Sequence, residues 1–302
     1  YLILSYSNSL QRPVIQLARQ FQDLQAATAS IGRVGELFAL QPKVQSPAEP
    51  EILPTGPLAV DFDRVNFGYN ADDLILHDVD FRLEPGKVLG LLGRTGSGKT
   101  TMTRLLFRLY DVSAGAIRLG EQDLREVALA DLRGRIGMVT QEVQLFRATV
   151  RDNLTFFDRS IADERVEAAL DTLGLGDWLA SLEEGLDTRL EANGRGLSAG
   201  EAQLLAFTRV FLKDPGLVIM DEASSRLDPV TEALIERAID RLLHNRTAII
   251  VAHRLATVQR ADQIMILSDG QIVEHGDRVA LMAQADSRFS QLLRTGMAEV
   301  LA

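Results

Sequence analysis

The spacing of apolar positions divides this chain into segments of different kind. From Val14 to Phe38 the apolar or small positions Val14, Leu17, Phe21, Leu24, Thr28, Ile31, Gly35 and Phe38 fall three and four apart, and Gln16, Arg19, Gln20, Gln22, Asp23 and Gln25 lie between them. That spacing predicts one long amphipathic helix, about 40 Å if unbroken, with Pro13 in its first turn. QPKVQSPAEPEILPTGP follows as residues 41–57 and holds five of the nine prolines, so it reads as an extended, semi-rigid linker. The helix, residues 1–40, therefore belongs to something other than the domain downstream, residues 58–302.

In that domain the period shifts. LAVDFDRVNFGYN alternates, with Leu58, Val60 and Phe62 on one face, and Leu76 to Leu83 is a second strand candidate. Val88 to Leu92 is a short apolar run suited to a buried strand, and Thr101 to Tyr110 returns to helical spacing. Ala116 to Leu119 and Ile136 to Thr140 read as strands; residues 148–192 read as helical, broken at Gly174, Gly176 and Gly185. The last third alternates strand (Leu217 to Met220), helix (Val230 to Leu243) and strands (Ala248 to Val251, Ile264 to Leu267). Such alternation predicts an α/β fold with a largely parallel sheet, helices on both faces and ligands at the carboxyl ends of the strands.

Bulk properties narrow the chemistry. The formal net charge of −10 disfavours a broad nucleic-acid surface, which needs clustered cations. The absence of cysteine excludes disulfides, thiolate metal sites and a cysteine nucleophile. No run of 18 apolar residues is present, so no complete transmembrane helix is expected. The chain starts at Tyr1, and YLILSYSNSL lacks the charged start of a signal peptide, so an upstream portion is expected.

The densest chemical signal is Gly93-Arg94-Thr95-Gly96-Ser97-Gly98-Lys99-Thr100, which, with Thr101, sits between a strand and a helix. This is a phosphate-binding loop in the context it requires: successive N–H groups and a helix start converge on one point. Lys99 reaches the β- and γ-phosphates and the Thr100 hydroxyl ligates Mg²⁺. The run LVIMDE ends a strand in two carboxylates; Asp221 holds the Mg²⁺ through water, and Glu222 polarises the water that attacks the γ-phosphate.

Just before that strand, Leu197-Ser198-Ala199-Gly200-Glu201 resembles the LSGGQ signature of ABC ATPases. Ser198 and Glu201 also form a capping-box pattern. The resemblance covers essentially all of residues 57–302, with its elements in family order. It implies the P-loop NTPase fold of ABC ATPase type: a RecA-like core with a parallel sheet, an antiparallel β subdomain and a helical subdomain, here preceded by the long helix. By the same resemblance, Tyr69 stacks on adenine, and Gln141 touches both Mg²⁺ and the membrane-domain interface. Ser224 to Asp228 crosses a dimer interface, and His253 contacts the γ-phosphate. Ser198 and Gly200 face the ATP of an opposite subunit. The helix looks like the cytoplasmic end of the last membrane helix of an exporter that fuses membrane and nucleotide domains, with Tyr1 to Leu4 its last membrane-embedded trace. ATP and Mg²⁺ are the implied cofactors. The implied partners are a second nucleotide-binding domain, in a homo- or heterodimer, and membrane-spanning domains, with no nucleic acid; the implied location is the cytoplasmic face of the cell membrane.

Three departures stand out. Ala199 replaces the usual Gly and Glu201 the usual Gln, which predicts a weaker half-site, although Glu201 is a good capping partner. Gly194, in EANGRG, stands where the exporter loop that reaches the membrane domain commonly has glutamate. Two rival readings are a hydrolysis-poor half of a heterodimeric transporter, opposed by Glu222 and His253, and a soluble ABC ATPase, opposed by the acidic balance and the N-terminal helix.

Overall fold

The computed structural model describes residues 2–70, 73–140, 142–221, 229–252 and 258–294. It divides into two compact units, Tyr1–Gln45 and Ser46–Ala302.

The first unit is one helix, α1 (Leu2–Ala39), with a short extended tail. Pro13 lies inside α1 rather than in its first turn, because residues on its N-terminal side are helical as well. A proline there forgoes one intrahelical bond, which a long helix can absorb. The apolar stripe is open: Phe21 and Leu24 are each 64% exposed and Phe38 is 83% exposed.

The second unit contains β1 (Val60–Phe67), β2 (Leu76–Leu83), β3 (Val88–Leu92), α2 (Lys99–Leu106), β4 (Ala114–Leu119), β5 (Gln122–Asp123), α3 (Leu129–Arg135) and β6 (Ile136–Val139). It continues with α4 (Val150–Thr155), α5 (Asp163–Thr172), α6 (Gly176–Ala180), α7 (Ala199–Lys213), β7 (Leu217–Asp221), α8 (Pro229–Leu243), β8 (Thr247–Val251), β9 (Gln263–Ser268) and β10 (Gln271–Asp277). Two short helices, Arg278–Ala283 and Arg288–Arg294, close the described chain.

Two sheets result. One is antiparallel, in the order β2-β1-β4-β5; the other has the order β10-β9-β3-β8-β7-β6 and is parallel throughout except for β10. In β1 the buried phase runs Val60, Phe62 and then Val65, Phe67, because the pairing slips between Phe62 and Val65, where Arg64 takes φ 47°. A bulge of this kind moves the apolar set by one position without turning it to solvent.

The parallel strands are apolar in both phases because both faces are covered. Leu89, Leu91, Ile219 and Ile249 pack with Met102, Leu105 and Leu106 of α2 and with the antiparallel sheet. Val218, Met220, Ala248 and Ile250 pack on the other side with Leu204, Leu205 and Phe207 of α7 and Ile235 and Leu242 of α8. The carboxyl ends of β6, β7, β8 and β3 consequently form one row, with Val139 beside Met220, Asp221 beside Val251, and Val251 beside Leu91.

Most of the proline-rich stretch is held onto this unit. The Ser46 Oγ accepts from the Leu129 N–H at 3.1 Å, and the Glu51 N–H donates to the Glu126 carbonyl at 2.7 Å. Arg135 donates to the carbonyls of Pro54 and Gly56 at 3.0 and 2.6 Å. Leu53 is buried. Residues 46–57 are thus a strap on the domain, fastened mainly through backbone groups that side-chain periodicity does not reveal.

Candidate active site

The phosphate loop leaves the buried end of β3 and turns into α2. Gly98 precedes the helix with φ 108°, a backbone conformation that favours glycine, and a Cβ there would sit 2.6 Å from Leu76 Cδ2. The N–H groups of the first turn of α2 have no intrahelical acceptor, as at any helix start, and they form the anion-binding end of the helix. Lys99 is buried and folds back over the loop, where its Nζ donates to the carbonyls of Gly93 and, at 2.8 Å, of Arg94. Desolvation lowers the Lys99 pKa, and the Asp221 charge acts in the opposite sense. The Ser97 hydroxyl is buried and, among the described residues, has no hydrogen-bond partner.

These features fit a nucleotide phosphate. They comprise a loop in which Gly93 and Gly98 leave no room for a Cβ, a buried cation held by loop carbonyls, and, among the described residues, an unpartnered hydroxyl. Arg94, Thr95 and Thr100 are exposed around it, while Thr101 is buried. Asp221 ends β7, half-buried, two strands or about 10 Å along the sheet from β3. The oxygen donors Thr100 and Asp221 suit a hard cation such as Mg²⁺.

At the outer edge of the site, Tyr69 meets Phe67 and Tyr110 edge-on, with ring centroids 5.1 and 5.0 Å away. Arg104 Nη1 donates to the Tyr69 hydroxyl at 2.9 Å and lies over its ring. Tyr110 and Arg104 were not among the residues singled out by the sequence. The helical spacing through Tyr110 predicts a longer helix, whereas α2 stops at Leu106 and the following turn, with Arg108 at φ 46°, swings Tyr110 onto Tyr69. An exposed aromatic at the end of an otherwise ordinary helix was the available signal.

The signature begins α7. Ser198 is its N-cap: its Oγ accepts from the Glu201 N–H at 3.2 Å, and the Glu201 carboxylate accepts from the Ser198 N–H at 2.7 Å, completing the capping box. Gly200 is buried, and a Cβ there would lie 2.0 Å from Thr231 Cγ2 on α8. Among the described residues, no hydrogen bond or ion pair joins Ser198 or Gly200 to the phosphate loop of the same chain. Gln141, Glu222, Ser224 to Asp228 and His253 lie outside the described residues. The strands that lead to Gln141, Glu222 and His253 end in the row of Val139, Asp221 and Val251.

Residues 76–225, from β2 through the end of β7, match the family model described as ABC transporter. This chain carries an ATP-binding domain of the ABC transporter family. The chain is 36% identical over 292 residues to the heavy metal tolerance protein of Schizosaccharomyces pombe, an alignment that covers 96% of this chain and 35% of that protein. It is 38% identical over 282 residues to a fatty acid ABC transporter ATP-binding/permease protein of Mycobacterium bovis, covering 93% of this chain and 44% of that protein. Among solved structures, a bacterial Atm1-family ABC exporter with ATP bound superposes with a TM-score of 0.80 at 31% identity, covering 98% of this chain and 51% of that one. The chain thus spans less than half of the length of these two curated relatives, the second of which is named as an ATP-binding/permease protein. The ABC domain has the ABC ATPase fold; it is a nucleotide-binding, ATP-hydrolysing module. No helix among the described residues is long and apolar enough to cross a membrane.

Proposed function

We propose that the ABC domain powers a membrane exporter by closing head-to-tail with a second such domain around two ATP molecules and reopening after hydrolysis. The observation that carries this reading is the buried Lys99 within a complete phosphate loop, in one chain with a capped signature helix that, among the described residues, shares no hydrogen bond or ion pair with that loop. A phosphate loop and a signature that do not meet within one chain are the two halves of a site shared between chains.

In this reading Lys99 holds the β- and γ-phosphates, helped by the N–H groups of Gly96, Ser97 and Gly98 and by Gly93, Arg94, Thr95 and Thr101 around them. Tyr69 stacks on adenine. Thr100, Asp221 and Gln141 would hold Mg²⁺, which when bound neutralises phosphate charge. Glu222 takes the proton of the attacking water, and His253 contacts the γ-phosphate from the neighbouring strand end. Ser198 and Gly200 serve the partner's ATP. The open apolar stripe of α1 would continue into membrane helices, which puts the ABC domain at the cytoplasmic face of a cell membrane.

Glu222→Gln is expected to leave ATP binding intact and abolish turnover, whereas Lys99→Ala is expected to weaken binding itself. Equilibrium titration with a fluorescent ATP analogue and steady-state phosphate release separate the two. Sustained turnover in the Glu222→Gln protein overturns the assignment of the base.

A further inference from the structure

The aromatic that follows the first strand is held by its hydroxyl as well as by its ring. Tyr69 lies two residues beyond β1 and is 39% exposed at the edge of the phosphate site. Its ring touches Phe67 and Tyr110, and those two rings lie 5.7 Å apart, so three aromatics form one cluster. Such contacts confine a ring without fixing its polar end, which looks for a hydrogen-bond partner of its own.

That partner comes from a different element. Arg104 Nη1 donates to the Tyr69 hydroxyl at 2.9 Å, with the guanidinium carbon 5.9 Å from the ring centroid, within reach of a cation–π attraction. The Thr101 hydroxyl lies 3.4 Å from the same oxygen. Thr101 and Arg104 are three apart on α2 and share one helix face. Among the described residues Arg104 has no ion pair, although Asp and Glu outnumber Lys and Arg by 42 to 32, and its donor goes to a neutral phenol instead. A cation in the last turn of α2 also suits the negative end of that helix. That role needs no particular direction of the guanidinium, whereas the bond to Tyr69 does.

The helix that grips Tyr69 is the one whose first turn forms the anion-binding end, with Lys99 and Thr100 at its start. Arg104 stands about 6 Å farther along it than Thr100. One rigid element therefore carries both the phosphate end and the hold on an aromatic that belongs to the other sheet.

We infer that Arg104 is a positioning residue that holds the Tyr69 ring at a set distance from the phosphate loop, so that the surface on which the purine stacks is ordered before the nucleotide arrives. The inference rests on the reading of Tyr69 as the residue that stacks on adenine. An exposed tyrosine free to sample its rotamers loses that freedom on binding, and the bond from Arg104 removes this cost in advance. The base is remote from the γ-phosphate, so the gain is the same in the ground state and the transition state. It belongs in KM and not in kcat.

Steady-state ATP hydrolysis by the 302-residue chain, at a protein concentration where the parent is active, tests this in Arg104→Met, Tyr69→Phe and the double variant. Arg104→Met should raise KM for ATP about three- to tenfold, as for the loss of one hydrogen bond to a charged group, with kcat within about twofold of the parent. Tyr69→Phe keeps the ring and removes the acceptor, so it should do the same. The double variant should be no worse than either single one, because both changes delete one bond. Arg104→Lys keeps a cation that can donate and should fall between Arg104→Met and the parent. Additive losses in the double variant overturn the inference, as does an unchanged KM in Arg104→Met. A parallel fall in kcat and melting temperature also overturns it, since that marks a merely structural role. Tyr69→Ala runs alongside. If its KM equals the parent's, the reading of Tyr69 itself has failed; if KM rises there and not in Arg104→Met, only the positioning by Arg104 has failed.

Discussion

Single residues at the site often serve two elements at once, and Gly270 is the clearest case. Its N–H donates to the Ser97 carbonyl in the phosphate loop at 3.1 Å, and its carbonyl accepts from the His77 N–H on β2 at 2.9 Å. It sits at φ 75°, and a Cβ there would fall 2.0 Å from the Ile75 carbonyl oxygen. One backbone unit therefore joins the phosphate loop to the antiparallel sheet that carries Tyr69. Gly270→Ala should cost about 1–3 kcal/mol, from strain and a lost bond together, and weaken ATP binding. Gly134, inside α3 with open space around it, makes the contrast: Gly134→Ala should stabilise by about 0.5–1 kcal/mol and leave binding alone. Chemical denaturation and nucleotide titration of both proteins check the pair; equal behaviour would remove Gly270 from the site.

At the scale of elements, α7 answers the question raised by its unusual signature. The Glu201 carboxylate is engaged with the N–H of Ser198 at the start of its own helix, where negative charge is favourable. Glu201→Gln keeps an acceptor there, so stability should change by less than about 0.5 kcal/mol, while Glu201→Ala should cost about 1 kcal/mol. Thermal unfolding of the two variants decides this; a large loss with Gln would mean that the charge matters beyond the cap. The capping box was legible because it is local, as were β3, β7 and β8, whose unbroken apolar runs mark strands covered on both faces. β10 was not: Gln271 to Asp277 alternates exposed and half-buried positions at the sheet edge and has no fully buried face. The strap of residues 46–57 escaped for another reason. It depends on backbone groups brought near by the fold, and no spacing along the chain records them.

At the scale of the whole molecule, the phosphate loop and the signature each have a local reason for their shape, yet among the described residues nothing within one chain joins them. Complementation tests the consequence. A Lys99→Ala chain keeps its signature and loses its phosphate loop; a Ser198→Arg chain does the reverse, with a bulky cation at the helix start. Each alone should hydrolyse ATP poorly, since every site in either homodimer is broken. In a mixed dimer, one site pairs the intact loop of the second chain with the intact signature of the first. Mixing should therefore restore activity, up to about a quarter of the parent rate in an equal mixture with random pairing and independent sites, and restoration should rise with protein concentration as dimers form. Activity in either chain alone that matches the parent, or no gain on mixing at concentrations where the parent is active, would mean that the site is complete within one chain.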